Sequence, residues 1–141
     1  RSGRRTWVFV DEFSIFFRYP FATNFFLRMW KQVRKRAGYM TGITQNVGEM
    51  LTSKDACWML ANSEFLIMLS QSASDRAALA ELLNISDTQL SYVENADPGC
   101  GLMKFGGAFI PFVNSFPEDT ELYKLMTTKP ADREQVKPNG V

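Results

Sequence analysis

TWVFVDEF, residues 6–13, decides how the rest of the chain is read. Thr6 to Val10 are all β-branched or aromatic, the residue types that suit a pleated, packed surface, so the run predicts a strand over residues 6–11. Two carboxylates close it, Asp11 and Glu12. Adjacent acids at the end of a buried strand are either solvated or assigned to chemistry, and the surrounding pattern has to separate the two.

FSIFFRYP (13–20) is aromatic-rich and reads as a loop or short helix stopped by Pro20. From Thr23 or Asn24 as N-cap, Phe25, Phe26, Met29, Trp30, Val33 and Ala37 recur at spacings of three and four until Gly38. That is an amphipathic helix whose apolar stripe is expected to be core. YMTGIT (39–44) predicts a second strand that ends on Gln45, and Ser53 is placed to cap a helix through about Asn62. EFLIMLS (64–70) predicts a third strand. A helix follows over about 74–83, then another opened by Ser86 and Gln89 in capping-box spacing. Two apolar runs in 101–113 flank Gly106-Gly107, the signal of a tight hairpin, with Pro111 favouring an edge. A short helix around 119–126 precedes a polar tail, 128–141, expected to be mobile.

Strands alternating with helices predict an α/β sheet of mainly parallel strands with right-handed crossovers and a C-terminal β-hairpin. In such sheets chemistry gathers at the carboxyl ends of the strands, which is where Asp11, Glu12 and Gln45 stand.

A length of 141 residues suits one domain, and 45% hydrophobic with 22% charged residues excludes a disordered chain. No stretch approaches the roughly 20 apolar residues of a membrane span and no signal peptide opens the chain, which points to a cytoplasmic domain. There is no histidine, so Cys57 and Cys100 have no partner for a zinc site or a Cys-His nucleophile and are expected to be free buried thiols. Residues 1–54 hold ten basic against three acidic side chains, a net of +7, whereas residues 55–141 hold six against twelve, a net of −6. Within the basic half Lys31, Arg34, Lys35 and Arg36 are the candidate nucleic-acid contact, the alternative being the solvated face of a helix.

An apolar strand ending in Asp-Glu has the form of the Walker B element of nucleotide hydrolases. Its first carboxylate holds magnesium through water, and its second, one residue on, is free to orient or deprotonate the attacking water. That assigns Asp11 to the metal and Glu12 to the base. Gln45, a polar amide on the next strand, stands where a sensor of the γ-phosphate or its water belongs.

RTWVFVDEF, VRKRAG, YMTGITQN, NSEFLIMLSQSASDRAALAELLNIS and GLMKFGGAFIPFVNSFPEDTELYKLMTTKP together resemble the carboxyl-terminal half of the TraC/VirB-type conjugative-transfer ATPases, particularly those of Gram-positive conjugative elements. The resemblance implies a partial RecA-like domain over 1–127. It belongs to a hexameric motor that binds ATP and Mg2+ between subunits and energises type IV secretion at the inner face of the membrane. By position it makes Asp11 and Glu12 the Walker B pair and Gln45 the sensor. Arg76 falls where the family places an arginine that reaches a neighbouring subunit's nucleotide, with Arg34 and Arg36 as competitors; the alternative for Arg76 is a surface ion pair. The chain departs from the family in one respect: none of its nine glycines precedes Lys-Ser or Lys-Thr, so the phosphate-cradling loop is missing. A piece of a longer motor is therefore expected, inactive alone and without appreciable ATP affinity. Strands 39–44 and 64–70 should then approach each other abnormally or pair across a dimer, with the hairpin at an edge. The competing reading is a non-catalytic α/β interaction or regulatory module whose Asp-Glu is incidental.

Overall fold

The computed structural model describes residues 5–127. The tail expected over 128–141 lies outside the described residues.

β1 (Thr6–Val10) runs parallel to β2 (Gly38–Gly42), with Thr6 opposite Gly38 and Val10 opposite Gly42. The right-handed crossover expected of such a pair has to carry a helix, and α1 (Pro20–Gln32) supplies it. The helix starts at Pro20, three residues before the cap read from the sequence. Proline has no N–H to lose at the first helical position and its φ is already helical, so Pro20 opens α1 instead of closing the preceding segment. That segment, Phe13–Arg18, is a 3-10 helix. A second 3-10 turn, Val33–Arg36, ends the crossover. Ala37 takes the left-handed cap position at φ 54°, and Gly38 already belongs to β2.

Past β2, Asn46 caps α2 (Val47–Leu51), a helix where the sequence pattern indicates only a turn, and Ser53 caps α3 (Lys54–Ala61) as expected. β3 (Phe65–Met68) leads to α4 (Ala73–Leu83), capped by Ser72, and then to α5 (Asp87–Leu90), where the Ser86–Gln89 capping box is complete. β4 (Cys100–Phe105) and β5 (Ala108–Val113) form the hairpin about Gly106-Gly107, with Gly106 at φ 57°. Thr120 caps α6 (Glu121–Met126).

The third strand departs from the expected arrangement. β3 pairs antiparallel with β4, giving a sheet ordered β3-β4-β5 that is separate from the β1-β2 pair. β2 and β3 do not pair with each other. Of the two hairpin strands, β4 lies in the centre of the sheet and β5, with Pro111, at one edge, β3 forming the other. Pairing with β4 satisfies one edge of β3, so β3 does not need β2 for those backbone groups.

Two cores follow the two sheets. Phe13, Phe26, Met50, Ala56 and Met59 form one under β1 and β2; Met68, Leu79, Leu83, Ile85, Val93 and Leu102 form the other between α4 and the hairpin sheet. The apolar stripe of α1 is not all core. Phe26 is buried, whereas Phe25 is 52% exposed and Met29 lines an open groove of about 720 Å³ against β1. The stripe is wide enough to serve two faces, and only the Phe26–Trp30 face meets the core. Cys57 and Cys100 are free, as expected, but half-buried instead of buried.

Candidate active site

The carboxyl ends of β1 and β2 meet at one place. The ladder continues one step past both strands: Ile43 N donates to the Val10 carbonyl at 2.9 Å and Phe13 N to the Ile43 carbonyl at 2.8 Å. This fixes residues 11–12 beside residues 44–45. Gln45 Nε2 donates to Glu12 Oε1 at 3.1 Å, across 33 residues of sequence. The expected base and the expected sensor are thus in direct contact.

Glu12 sits at φ 50°, ψ 44°, in the left-handed region. A residue with a Cβ adopts it at a cost of about 1–2 kcal/mol. The Asp11 carboxylate offsets part of that cost by accepting the Glu12 N–H through Oδ1 at 2.9 Å. The kink turns the chain sharply after the strand and separates the two carboxylates, so Asp11 is exposed while Glu12 is half-buried against Gln45.

The two elements that follow the site residues are tied together. Arg18, the last residue of the 3-10 helix after Glu12, forms an ion pair with Glu49 in α2, the helix that begins two residues after Gln45. No feature of the sequence announces this pair; the Asn46-x-x-Glu49 spacing marks only the start of α2, where Glu49 N donates to Asn46 Oδ1 at 3.1 Å. The hydrogen bond and charge of Arg18 hold the Glu49 carboxyl below the usual carboxylate range, with a smaller contribution from Ser14, and Arg18 is raised in turn. A carboxyl whose folded-state pKa is depressed adds stability above its unfolded value, about 4.3, and loses it as pH falls through the folded value. Glu49→Gln is therefore expected to flatten the acid limb of a melting-temperature-versus-pH curve below about pH 4. The effect will be modest because Arg18 is 60% exposed. Superimposable acid limbs in parent and variant would show that the pair does not contribute.

Arg76 is placed elsewhere. On α4 its Nη2 donates to Glu94 Oε1 at 2.7 Å and its Nη1 to the Gln71 carbonyl at 3.0 Å. It pairs with Glu94, not with its neighbour Asp75. Of the basic run, Lys31 lies over the Trp58 ring at 4.5 Å, a cation–π contact, and Arg34, Lys35 and Arg36 are carried on the 3-10 turn before β2.

Among the described residues no group of three or more acidic, cysteine or histidine side chains could hold a metal ion. The donor set still fits magnesium, which dehydrates reluctantly and is usually held by one or two carboxylates plus substrate phosphates. Asp11 is exposed and keeps one oxygen clear of the Glu12 amide.

Comparison with protein-family models gives no match, and comparison with curated proteins gives none. Among solved structures, VirB4 of Thermoanaerobacter pseudethanolicus matches with a TM-score of 0.75 at 28% sequence identity over 83% of this chain. The chain is similar to VirB4. The fold is accordingly the partial RecA-like α/β sheet with a C-terminal hairpin expected from the sequence. The match spans 33% of the VirB4 chain, about a third of its length.

Proposed function

We infer that this chain is the carboxyl-terminal part of the motor domain of a longer VirB4-like ATPase that energises type IV secretion or conjugative DNA transfer. The observation that carries the reading is the 3.1 Å contact between Gln45 and Glu12 at the ends of two parallel strands. A carboxylate used only for solubility has no need of a left-handed backbone and a directed amide. In the intact protein Glu12 takes the proton of the attacking water, and Gln45 orients both the carboxylate and that water. Asp11 would hold magnesium through water, and the ion would supply positive charge against the phosphates. The phosphate cradle is contributed by sequence outside this chain, and ATP lies between subunits of a hexamer of the kind used by Gram-positive conjugative elements, at the inner face of the membrane. This part docks on membrane-bound components of the secretion apparatus; among the described residues no helix is long and apolar enough to cross a membrane. Arg34, Lys35 and Arg36 supply the charge for a nucleic-acid or phosphate contact.

Magnesium-dependent ATP turnover by the assembled longer protein is the test of this reading, and an assembled protein without turnover would leave the non-catalytic module in its place. Arg76 can reach a neighbouring nucleotide only by leaving Glu94 and the Gln71 carbonyl. If it does so, mixing Arg76→Ala subunits with Glu12→Gln subunits is expected to restore part of the turnover, because some interfaces then pair an intact Glu12 with an intact Arg76. Mixed oligomers without any gain would assign Arg76 to the Glu94 ion pair alone.

A further inference from the structure

From Phe13 to Gly48 the chain holds six cations and no acidic residue. A solvated helical face normally mixes the two signs, because like charges three or four residues apart weaken a helix. Here Lys31 is followed at those spacings by Arg34 and Lys35, and all three are exposed. α3 extends the same surface. Lys31 Nζ lies 4.5 Å from the centroid of the Trp58 ring, and the exposed Lys54 stands one turn before Trp58. Among the described residues no carboxylate forms an ion pair with Lys31, Arg34, Lys35 or Lys54. Asp55 is half-buried in the first turn of α3, where its charge suits the amino end of the helix. None of these four cations, nor Trp58, lies in a strand or lines the groove between α1 and β1. They repel one another within the chain, and a bound polyanion relieves that repulsion.

We propose that this surface binds single-stranded nucleic acid, with Trp58 stacking on a base and Lys31, Arg34, Lys35 and Lys54 meeting the phosphates. The site deepens the nucleic-acid contact named under the function above and takes no part in hydrolysis. The indole selects among polyanions. Trp58 is 40% exposed, and a base stacked on such a ring gains more than an exposed cation–π contact gives up. The base therefore displaces Lys31 Nζ from the ring and frees it for a phosphate. A duplex hides the faces of its bases from the indole. An anionic lipid surface needs apolar side chains beside the cations, but the residues one turn to either side of Trp58 are Lys54 and Asn62. An acidic protein segment would use the cations and leave the ring idle.

Fluorescence anisotropy of a labelled oligothymidylate, titrated with the purified 141-residue chain, tests this. With four phosphate contacts, log affinity against log salt should fall with a slope of about −3 between about 50 and 200 mM. Trp58→Ala is expected to weaken binding at least about fivefold and to leave the slope unchanged. Trp58→Phe keeps a ring to stack on and should bind close to the parent, which separates lost stacking from a disturbed fold. Lys31→Gln and Lys35→Gln should each make the slope shallower by about 0.7. Absence of binding overturns the proposal, as does a Trp58→Ala variant that binds like the parent or a Trp58→Phe variant as weak as Trp58→Ala. Equal or tighter binding of inorganic polyphosphate, a DNA duplex or phosphatidylglycerol vesicles overturns it too. No outcome depends on ATP turnover, so failure here leaves the motor reading standing, and an inactive motor leaves this site standing.

Discussion

Glu12→Gln in the full-length protein is expected to lower ATP turnover by about a hundredfold or more, within the range that loss of a general base produces, while nucleotide affinity changes little. The side chains are nearly isosteric, and the substituted amide can still present its carbonyl oxygen to Gln45 Nε2, so the contact that positions this side chain survives. What is lost is the capacity to accept a proton. In the proposed mechanism the base acts on water and not on the nucleotide, so the loss is expected to fall on kcat and not on binding. Single-turnover hydrolysis and nucleotide titration on one preparation separate the two. A variant turning over at the parent's rate would remove Glu12 from the mechanism, and one that also fails to bind would show that Glu12 holds the nucleotide.

The parts of this site that are legible in the sequence are those decided locally. Five β-branched or aromatic residues followed by Asp-Glu specify a strand and where it ends without reference to distant residues, and Ser86 with Gln89 or Gly106 with Gly107 work the same way. Gln45 can be named from its place after β2, but its bond to Glu12 depends on a parallel register between strands far apart in the chain and on the left-handed turn at Glu12, which no neighbouring glycine announces. α2 is five residues long, too short for periodicity to register, and Pro20 is as consistent with a helix start as with a stop. The pairing of β3 is illegible for a different reason. An apolar run does not state which strand it will pair with, and β3 takes β4, which lies farther along the chain than β2 lies behind it. The partners of Arg18 and Arg76, 31 and 18 residues away, are likewise products of tertiary packing.

Phe13 links that packing to the site, and its removal is expected to have the largest effect on stability of any single truncation near Glu12. It is 2% exposed. Its ring meets Phe17 and Phe26 edge-on at 5.1 and 5.2 Å and stacks on Trp30 at 5.7 Å. It also lies so close over β2 that a Cβ on Gly42 would come within 2.4 Å of its Cδ1. Glycine at 42 is thus what allows the ring to seat between α1 and the sheet. Phe13→Ala empties the centre of this cluster, and buried phenylalanine truncations cost about 3–5 kcal/mol. Domains of this size have a total stability of about 5–15 kcal/mol, so the variant should lose a substantial share of it. Phe13→Leu keeps most of the volume and is expected to cost under about 1.5 kcal/mol. The backbone N–H of residue 13 bonds the Ile43 carbonyl in either case, so what the ring adds is the clamp that keeps Glu12 in its left-handed turn beside Gln45. Urea unfolding of the parent and both variants, compared at equal m-values, measures these costs. An Ala variant within about 1 kcal/mol of the parent, a margin too small for a filled aromatic core, would mean that Phe16 and Phe26 close the gap and that the geometry at Glu12 is held by the backbone ladder alone.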